Sequence, residues 1–396
     1  MLFWIVYEAF SYICYNYFVP RNIALYVHVP FCRHKCPYCS FVSYDSREAD
    51  IPLYVDALKN ELIRRADGEY IRSIYFGGGT PSLLSVRYVG DLISTISSLF
   101  SLDKGVEITI EANPGTINRA YLAAIRELGV NRLSLGVQSL NDRELVLLGR
   151  IHTIAEARDS IQHARSAGFD NLSLDLIHGL PGQTLSNWQR TLEEAIMMRP
   201  EHLSLYSLAL EVETPMGRAL SEGSMTELDP DISADQYELA EDLLAAHGYT
   251  HYEISNWALP GSECRHNLTY WRNLPYLGVG VAAHSCLDGH RLANTKNLDK
   301  YLEDFSGKSA LVPEMDEEIS PELELAETVI LGLRLGEGIN PDDIHRRFGI
   351  DTVVHYRQQV EEMVQAGLLE RADGYIRLTR RGRLLSNEVF WRFLPE

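Results

Sequence analysis

Short apolar runs alternate with helix-like stretches from about residue 21 to about residue 210. The runs are rich in β-branched and aromatic residues and bounded by Gly, Pro or Asn, which predicts strands. Repeated strand–helix units predict a parallel sheet with right-handed crossovers. Six units favour an α/β fold, a partial (β/α)6 barrel that is an open relative of the TIM barrel. The predicted strands are Ile23–Val29, Ser73–Gly78, Val106–Ala112, Arg132–Gln138, Asn171–Gly179 and His202–Leu210, and the predicted helices include Ile51–Ala66, Asn118–Leu128, Thr153–Ala167 and Leu185–Met198.

Every predicted strand ends in residues that are unusual for a plain connecting loop. In barrels of parallel strands, the active site forms at the carboxyl ends of the strands. We therefore expect the six strand ends to converge on one face. They are Pro30–Cys32, Gly77–Pro81, Glu111–Pro114, Gln138–Ser139, His178–Gly182 and Tyr206–Ser207.

Three cysteines, Cys32, Cys36 and Cys39, follow the first strand with C-x3-C-x2-C spacing. Cubane iron–sulfur clusters bind thiolates on four irons, so three close ligands leave one iron open unless a distant residue completes the set. An open iron can chelate the amino and carboxylate groups of a small molecule. Three alternatives compete, one of which is a set of unliganded surface thiols. A thioredoxin-like C-x-x-C site would leave Cys32 unexplained, and a zinc site with His34 would lack paired C-x-x-C knuckles.

Polar residues at the other strand ends are candidates for ligand binding. The glycines of Gly77–Gly79 let the backbone approach a ligand closely because they carry no Cβ. Asp175 interrupts an apolar strand, where an unpaired carboxylate would be costly, and it suits ribose hydroxyls or an ammonium group. Arg150 suits a carboxylate through its fork of donors. Glu111 and Gln138 complete this set, for which structural hydrogen bonds or ion pairs are the alternative role.

Four segments are expected along the chain. Residues 1–20 form an aromatic, apolar extension that lacks the features of a signal peptide or a spanning helix. It is expected to be an appended helix or the product of an upstream start, with peripheral membrane contact as the alternative. Residues 21–215 form the barrel. Residues 216–315 are expected to be an irregular connector, with a helix near Ala234–Ala246 and a strand at His251–Ser255.

The sequence of residues 316–396 predicts a winged-helix-like α+β domain. Helices are expected at Leu323–Leu335 and Thr352–Ala366, followed by a hairpin within Leu368–Leu378 that turns at Ala372–Gly374. Thr379 is a good N-cap for a final helix.

Charge and cysteine usage limit the function classes. The chain has 36 basic and 55 acidic residues, a formal charge of -19, which argues against broad nucleic-acid binding. Six cysteines in 396 residues do not make a disulfide scaffold, and three of them cluster, so we expect a reducing, cytoplasmic location.

An ordered series of motifs runs from Ile23 to the C-terminus. The motifs are Tyr26–Phe41, Gly77–Ser82, Glu111–Thr116, Gly136–Ser139, Leu148–His152, Asp175–Thr184, Tyr206–Leu208, Tyr252–Ala258, Cys264–Trp271 and Tyr276–Ser285. Together they resemble the radical S-adenosylmethionine superfamily. The similarity is greatest to the branch that contains oxygen-independent coproporphyrinogen III oxidases and related haem chaperones.

This resemblance implies a radical SAM barrel with a [4Fe–4S] cluster on Cys32, Cys36 and Cys39 and S-adenosylmethionine beside it. It also implies an electron donor such as flavodoxin or ferredoxin, and it allows a homodimer. The residues implied for S-adenosylmethionine are Tyr26, Phe41, Gly78, Gly79, Thr80, Glu111, Gln138, Arg150 and Asp175.

Two features favour a haem chaperone, which would pass haem to recipient haem proteins, over an oxidase that decarboxylates coproporphyrinogen III. Phe41 stands where the oxidases have a further cysteine, two residues beyond Cys39. His266, Tyr270 and Trp271 match an H-N-x-x-Y-W motif associated with haem binding. A neutral imidazole is a common axial haem ligand, and the aromatic rings offer a flat surface.

Alternatives to this haem assignment are open. Cys264 competes with His266 as axial ligand, or the motif braces a turn and fills the core. Catalytic residues are not assigned. A third hypothesis, a nucleic-acid-modifying radical enzyme, rests on the winged-helix-like tail and on Arg377, Arg380, Arg381 and Arg383, and is opposed by the net charge.

Overall fold

The computed structural model describes residues 21–307 and 313–395, so the predicted extension over residues 1–20 lies outside the described residues. The strands are β1 Asn22–Val29, β2 Phe31–Cys32, β3 Tyr44–Asp45, β4 Tyr70–Gly78, β5 Ser101–Ala112, β6 Arg132–Gln138, β7 Leu172–His178, β8 His202–Ser207, β9 Thr250–Glu253, β10 Asn256–Ala258, β11 Tyr276–Val279, β12 His284–Leu287, β13 His290–Ala293, β14 Met315–Glu318, β15 Leu369–Ala372 and β16 Tyr375–Leu378.

The helices of the described chain include none that is long and apolar enough to cross a membrane. They are α1 Ile51–Arg65, α2 Val86–Leu99, α3 Arg119–Glu127, α4 Asp142–Leu147, α5 Ile154–Ser166, α6 Leu185–Met197, α7 Pro215–Ser221, α8 Pro230–Ala246, α9 Arg265–Trp271, α10 Leu298–Ser306, α11 Pro321–Gly332, α12 Pro341–Phe348, α13 Thr352–His355, α14 Arg357–Gln365, α15 Arg380–Leu384 and α16 Ser386–Phe390, with short 3-10 turns at Glu48–Asp50, Pro81–Leu83 and Trp391–Phe393.

A sheet of parallel strands forms the centre of the molecule. The six predicted strands, β1 and β4 to β8, lie side by side in chain order, and each is parallel to the next. The side chains of β1, β6 and β7 are almost all buried, as expected for parallel strands covered by helices on one face and by core or ligand on the other. The predicted α/β fold of partial-barrel type is confirmed.

The crossover helices begin and end within one residue of the four predicted ranges. At the start of α5, the Thr153 hydroxyl accepts the N–H of Glu156 at 3.3 Å, and the Glu156 carboxylate accepts the N–H of Thr153 at 2.8 Å. This capping box satisfies two donors that a helix start leaves unpaired. Local sequence signals of this kind explain why these boundaries are predictable.

The expectation of an irregular connector over residues 216–315 needs correction. Strand β11 lies parallel to β1 on the edge away from β4, with Val279 opposite Val27, and the antiparallel strands β12 to β14 extend that edge. Strands β9 and β10 extend the sheet beyond β8. These strands have only three or four residues, too few for a periodic pattern, so their sequence carries little signal. Strands β9 to β14 are extended because they pair with neighbouring strands of the sheet.

The C-terminal region has its own apolar core, built around Leu325, Val329, Val360, Ile376 and Phe393. Helix α11 and the predicted hairpin of β15 and β16 are present. The predicted helix over Thr352–Ala366 is divided into α13 and α14 at Tyr356, and α12 is an additional helix.

The turns of the C-terminal region follow from local sequence. Asp373 and Gly374 adopt positive φ angles of 53° and 84°, which a two-residue hairpin turn of type I′ requires. The Thr379 hydroxyl caps α15 by accepting the N–H of Gly382 at 2.9 Å. The predicted hairpin turn and N-cap are therefore confirmed.

The basic cluster of this region is largely neutralised by carboxylates. Arg380 binds Asp242 at 2.6 Å, Arg383 binds Glu241 at 2.6 Å, and Arg377 binds Glu370 at 2.6 Å. Paired arginines cannot provide the positive face that nucleic-acid binding needs. This pairing weakens the hypothesis of a nucleic-acid-modifying enzyme.

Candidate functional site

The cysteine loop is held in place by backbone and lysine contacts. It leaves β1 through β2 and returns through β3, with Phe31 opposite Tyr44 and Cys32 opposite Asp45. Within the loop, the N–H of Cys39 donates to the carbonyl of Cys36 at 3.1 Å. The Lys35 ammonium group donates to the carbonyl of Phe41 at 3.1 Å and to that of Ser43 at 3.2 Å. The three thiols are thus carried on an ordered loop at the carboxyl end of the barrel.

A cavity of about 370 Å³ lies between this loop and the ends of strands β4 to β8. It brings together nearly all the residues predicted for the cluster and for S-adenosylmethionine. Tyr26 is the exception, because it is half-buried outside the cavity lining, with its hydroxyl 3.0 Å from Nδ1 of His28. The predicted residues that line the cavity are Cys32, Cys36, Cys39, Phe41, Gly78, Gly79, Thr80, Glu111, Gln138, Arg150 and Asp175.

Two polar side chains contact the thiols from neighbouring strand ends. The Thr80 hydroxyl donates to Sγ of Cys32 at 3.6 Å, and Nη1 of Arg150 donates to Sγ of Cys36 at 3.5 Å. Asn113 connects these two groups. Its amide donates to Oγ1 of Thr80 at 2.9 Å, and its carbonyl oxygen accepts from Arg150. Outer contacts of this kind orient the ligands of a metal centre.

Three free thiols on one loop match the ligand set of a cubane cluster that has one open iron. Among the described residues, no group of three or more His, Cys, Asp and Glu side chains converges on one metal ion. In a cubane cluster each thiolate binds a different iron, so the sulfur atoms need to surround the cluster rather than meet at one point. The zinc alternative finds no support in this geometry. None of the described cysteines forms a disulfide.

The glycines at the end of β4 allow the strand to pass close to the cysteine loop. Gly78 has a φ of +121°, a conformation that other residues rarely adopt. A Cβ atom on Gly79 would lie 2.8 Å from the carbonyl oxygen of Phe31 and 2.9 Å from Sγ of Cys32. The glycine motif is therefore required by close packing at this point.

Two half-buried carboxylates face the cavity. Glu111 accepts from the hydroxyl of Tyr75 at 2.8 Å and from the N–H of Gly78 at 3.1 Å, and burial raises its pKa to about 7. Asp175 accepts from the hydroxyl of Ser134 at 3.0 Å and from that of Ser173 at 3.2 Å. Burial also raises the pKa of Asp175. Both groups can bind a cation or hydroxyl groups of a ligand.

Arg132 and Asn113 also line the cavity, although neither was among the residues predicted to bind the cluster or S-adenosylmethionine. Arg132 is 2% exposed and lines the cavity, and its Nε has no hydrogen-bond partner among the described residues. The sequence signal for Arg132 was a charged residue within an apolar strand, as with Asp175. Asn113 directly follows β5 and belongs to the predicted strand end Glu111–Pro114, but was not assigned a binding role there.

The H-N-x-x-Y-W motif lies on α9, and only Asn267 of its residues lines the cavity. His266 is buried, with Nδ1 3.0 Å from the hydroxyl of Ser73 and Nε2 2.9 Å from that of Tyr270. Burial lowers its pKa to about 3, so the ring is neutral. Trp271 stacks against the guanidinium group of Arg334, 4.3 Å away. Both ring nitrogens of His266 are thus engaged in the core.

Cys264, the competing haem ligand, is also in the core. Its thiol donates to Glu107 at 3.7 Å, and burial raises its pKa to about 12. A neutral buried thiol is a poor metal ligand because the thiolate is the coordinating form. In this conformation, the motif contributes to packing as the alternative prediction stated, and its contact with haem stays a prediction.

Comparison with known proteins extends this description to the whole chain. The model of the Radical SAM superfamily matches residues 26–195, and that of the HemN C-terminal domain matches residues 319–385. The chain is 36% identical to the haem chaperone HemW of Lactococcus lactis over 369 residues, covering 93% of this chain and 96% of that protein. It is 36% identical to the haem chaperone HemW of Escherichia coli K12 over 384 residues, covering 94% and 98% respectively.

A solved structure agrees with this assignment. Coproporphyrinogen III oxidase (HemN) from Escherichia coli, described as a radical SAM enzyme, has a TM-score of 0.82, covering 94% of this chain and 90% of that one at 25% identity. The predicted resemblance is confirmed by both comparisons. The chain therefore belongs to the radical SAM superfamily and, within its HemN-like branch, to the family of the haem chaperone HemW.

Proposed function

We propose that this protein is a haem chaperone, which binds haem and transfers it to recipient haem proteins. The observation that carries the proposal is its identity of 36% to proteins named haem chaperone HemW, over 96% and 98% of their lengths. Membership in the radical SAM superfamily implies a [4Fe–4S] cluster and S-adenosylmethionine as cofactors. The cytoplasmic location, the electron donor and the homodimer stay predictions.

Cys32, Cys36 and Cys39 would hold the cluster, which supplies single electrons at low potential when bound. Thr80 and Arg150 orient two of these thiolates from neighbouring strand ends. The open backbone at Gly78 and Gly79 suits the amino-acid end of S-adenosylmethionine.

Four side chains would position the rest of S-adenosylmethionine. Glu111 suits its ammonium group, because the half-buried carboxylate faces the cavity. Asp175 suits the ribose hydroxyls, and Gln138 completes the polar wall. Phe41 is 68% exposed at the cavity mouth, where it can cover a bound ligand.

Affinity for S-adenosylmethionine is expected to fall as the pH is lowered through 7. The folded pKa of Glu111, about 7, lies above its ordinary value of 4.5, so the carboxylate that attracts the ammonium group is lost below that pH. If only the ionised form binds, affinity at about pH 6 is expected to be roughly tenfold below that at about pH 8. Equilibrium dialysis of cluster-loaded protein measures this profile.

The Glu111→Gln variant is the control for this prediction and is expected to bind weakly with a flat profile. A variant that keeps the wild-type profile would exclude Glu111 as the titrating group. The same pKa shift affects folding with the opposite sign. Because the folded pKa is raised, the contribution of Glu111 to stability is fully present below pH 4.5 and is lost as the pH rises through about 7.

Haem titration of anaerobically reconstituted protein tests the proposed function. We expect a shifted Soret band on binding, followed by transfer of haem to an apo-haem protein, measured by the spectrum of the acceptor. Protein that neither shifts the Soret band nor loads the acceptor would contradict the proposal.

Oxidation of coproporphyrinogen III is the second candidate, favoured by the TM-score of 0.82 to HemN from Escherichia coli. Phe41 opposes it, because the oxidases have a cysteine at this position by the resemblance described above. Anaerobic incubation with coproporphyrinogen III and S-adenosylmethionine separates the two functions. Formation of protoporphyrinogen would favour the oxidase function over the haem-chaperone function.

A further inference from the structure

Arg132 is a buried cation in the wall of the cavity between the cysteine loop and strands β4 to β8, which we call the cluster cavity. It is the first residue of β6, is 2% exposed and lines this cavity. Its Nε has no hydrogen-bond partner, and its guanidinium group forms no ion pair, among the described residues. Arginine is not deprotonated in proteins, and a buried charge without compensation is strongly unfavourable. The charge of Arg132 therefore has to be compensated by groups beyond direct contact.

The strand register places Arg132 beneath the two carboxylates of the cluster cavity. Arg132 lies opposite Thr109 on β5. Two residues further along β6, Ser134 lies opposite Glu111 and donates to Asp175 at 3.0 Å. Alternate residues of a strand share a face, so Arg132 and Ser134 point to the same side of the sheet. The backbone of Arg132 is therefore roughly 7 Å further along the barrel, away from the cysteine loop, than the level of Glu111.

The other basic side chains of the cluster cavity are used at the cysteine loop. Lys35 donates to two backbone carbonyls of that loop, and Nη1 of Arg150 donates to Sγ of Cys36. Among the lining residues that the structure describes, Arg132 is the remaining arginine or lysine. It is thus the positive charge on the barrel side of the cavity, where the two carboxylates lie.

Glu107 is a third carboxylate near Arg132, and it also holds helix α9. It is buried, and its oxygens accept the N–H groups of Arg265 and His266 at 3.1 Å each, at the start of that helix. Glu107 therefore balances part of the charge of Arg132 without facing the ligand. Because a site that is so little exposed screens charges weakly, Arg132 also acts on the two cavity carboxylates without contact.

The positive charge of Arg132 favours the ionised form of both cavity carboxylates. Burial raises the pKa of Glu111 to about 7 and also raises the pKa of Asp175, and the charge of Arg132 opposes the shift in each. The other titratable groups that face Glu111 are tyrosines, which are uncharged near neutral pH because a tyrosine hydroxyl ionises only near pH 10 or above. They are Tyr26 on β1, Tyr75 on β4, Tyr206 on β8 and Tyr270 on α9. Within this set, Arg132 is the cation that favours ionised Glu111.

We propose that Arg132 is a positioning residue for S-adenosylmethionine. Its buried charge lies beneath Glu111 and Asp175 and keeps them ionised, so that they can bind the ammonium and ribose groups of the ligand. It acts through these carboxylates rather than by contact with the ligand. The inference rests on the S-adenosylmethionine site of the proposed function and adds the residue that sets the charge of that site.

Removing the charge tests the proposal. In Arg132→Met, Glu111 is expected to hold its proton to higher pH, and the midpoint of the pH profile of S-adenosylmethionine affinity is expected to rise from about 7 by roughly 0.5 to 1 on the pH scale. Affinity is then expected to fall about twofold to fivefold at about pH 7 and to equal the wild-type value at about pH 9, where Glu111 is ionised in both proteins. Equilibrium dialysis of cluster-loaded protein measures the ratio of the two affinities, in which titration of the ligand itself cancels.

Two further variants separate the charge from packing. Arg132→Lys keeps the charge and is expected to restore the wild-type midpoint. Arg126→Met is the matched control, because Arg126 is half-buried on α3 and does not line the cavity, so its profile is expected to match the wild type. Iron content after reconstitution verifies that each variant is folded. If Arg132→Met does not assemble a cluster, Arg132→Gln, whose amide can hydrogen-bond in the buried site, is measured in its place.

Coupling to Glu111 is tested by combining Arg132→Met with Glu111→Gln. Two residues that interact give a double variant whose loss of affinity differs from the product of the single losses. Because Glu111→Gln leaves no carboxylate to protonate at that position, Arg132→Met is expected to cause a smaller loss at about pH 7 in that background than in the wild type.

The outcomes separate failure of this inference from failure of the proposed function. A midpoint that rises in Arg132→Met and returns in Arg132→Lys would support the role of Arg132. A loss that is constant at every pH, or that is the same with and without Glu111, would overturn it. Wild-type protein that binds no S-adenosylmethionine would overturn the site and the inference together, whereas the haem-transfer measurement tests the chaperone function independently.

Discussion

Replacing Cys36 by alanine is expected to abolish cluster binding after anaerobic reconstitution. The cysteine loop offers three thiolates in all, and no other described cysteine lines the cluster cavity. Loss of an outer-shell contact costs about 10–100-fold in metal affinity, so loss of a ligand is expected to exceed that range. The measurement is iron and sulfide content, together with the visible absorption of the cluster. Haem transfer, if it needs the cluster, is expected to disappear with it.

Cys286→Ala is the matched control, because Cys286 is a half-buried cysteine on β12 and does not line the cavity. It removes one thiol from the protein and is expected to retain wild-type iron content. If Cys286→Ala lost iron as Cys36→Ala does, the three-cysteine assignment would be wrong.

A methyl group at Gly79 is expected to weaken binding of S-adenosylmethionine on the order of tenfold to a hundredfold. The added Cβ would lie 2.8 Å from the carbonyl oxygen of Phe31 and 2.9 Å from Sγ of Cys32. A backbone carbonyl cannot move aside as a flexible side chain would, so the end of β4 or the cysteine loop must shift. Strain of this kind typically costs about 1–3 kcal/mol. Calorimetric titration of reconstituted Gly79→Ala with S-adenosylmethionine measures the loss.

Gly90→Ala is the control for the effect of a methyl group alone. Gly90 lies within α2, where a Cβ would meet the methyl groups of Leu128 at 3.4 Å, an ordinary contact. Alanine is the better helix former, so this variant is expected to be as stable as the wild type or slightly more so. Unchanged affinity in Gly79→Ala would show that the β4 end does not contact S-adenosylmethionine.

Local sequence was sufficient for the barrel strands and the residues at their ends. Strands β1 and β4 to β8 are each long enough for their β-branched and apolar composition to be recognised in the sequence. The boundaries at Thr153, Thr379 and Asp373–Gly374 depend on contacts within a few residues. Because parallel strands all present their carboxyl ends to one face, the convergence of Cys32, Glu111 and Asp175 on one cavity follows from topology alone.

Other features depended on partners distant in sequence. Strand β11 is defined by pairing with β1, about 250 residues earlier, and its four residues carry no periodic signal. His266 carries the motif associated with haem, yet Ser73 on β4 and Tyr270 occupy its two nitrogens. Whether a polar side chain faces a ligand or a core partner depends on which groups the tertiary fold places beside it.

By itself, therefore, the sequence determined the order of the barrel strands and the family, and it predicted the cluster cysteines. The tertiary structure alone decided the edges of the sheet and the burial of the α9 motif. The physical reason is the distance along the chain over which the deciding contacts act. Strand composition, caps and ligand spacing act within a few residues, whereas β11 meets β1, and His266 meets Ser73, only when the chain is folded.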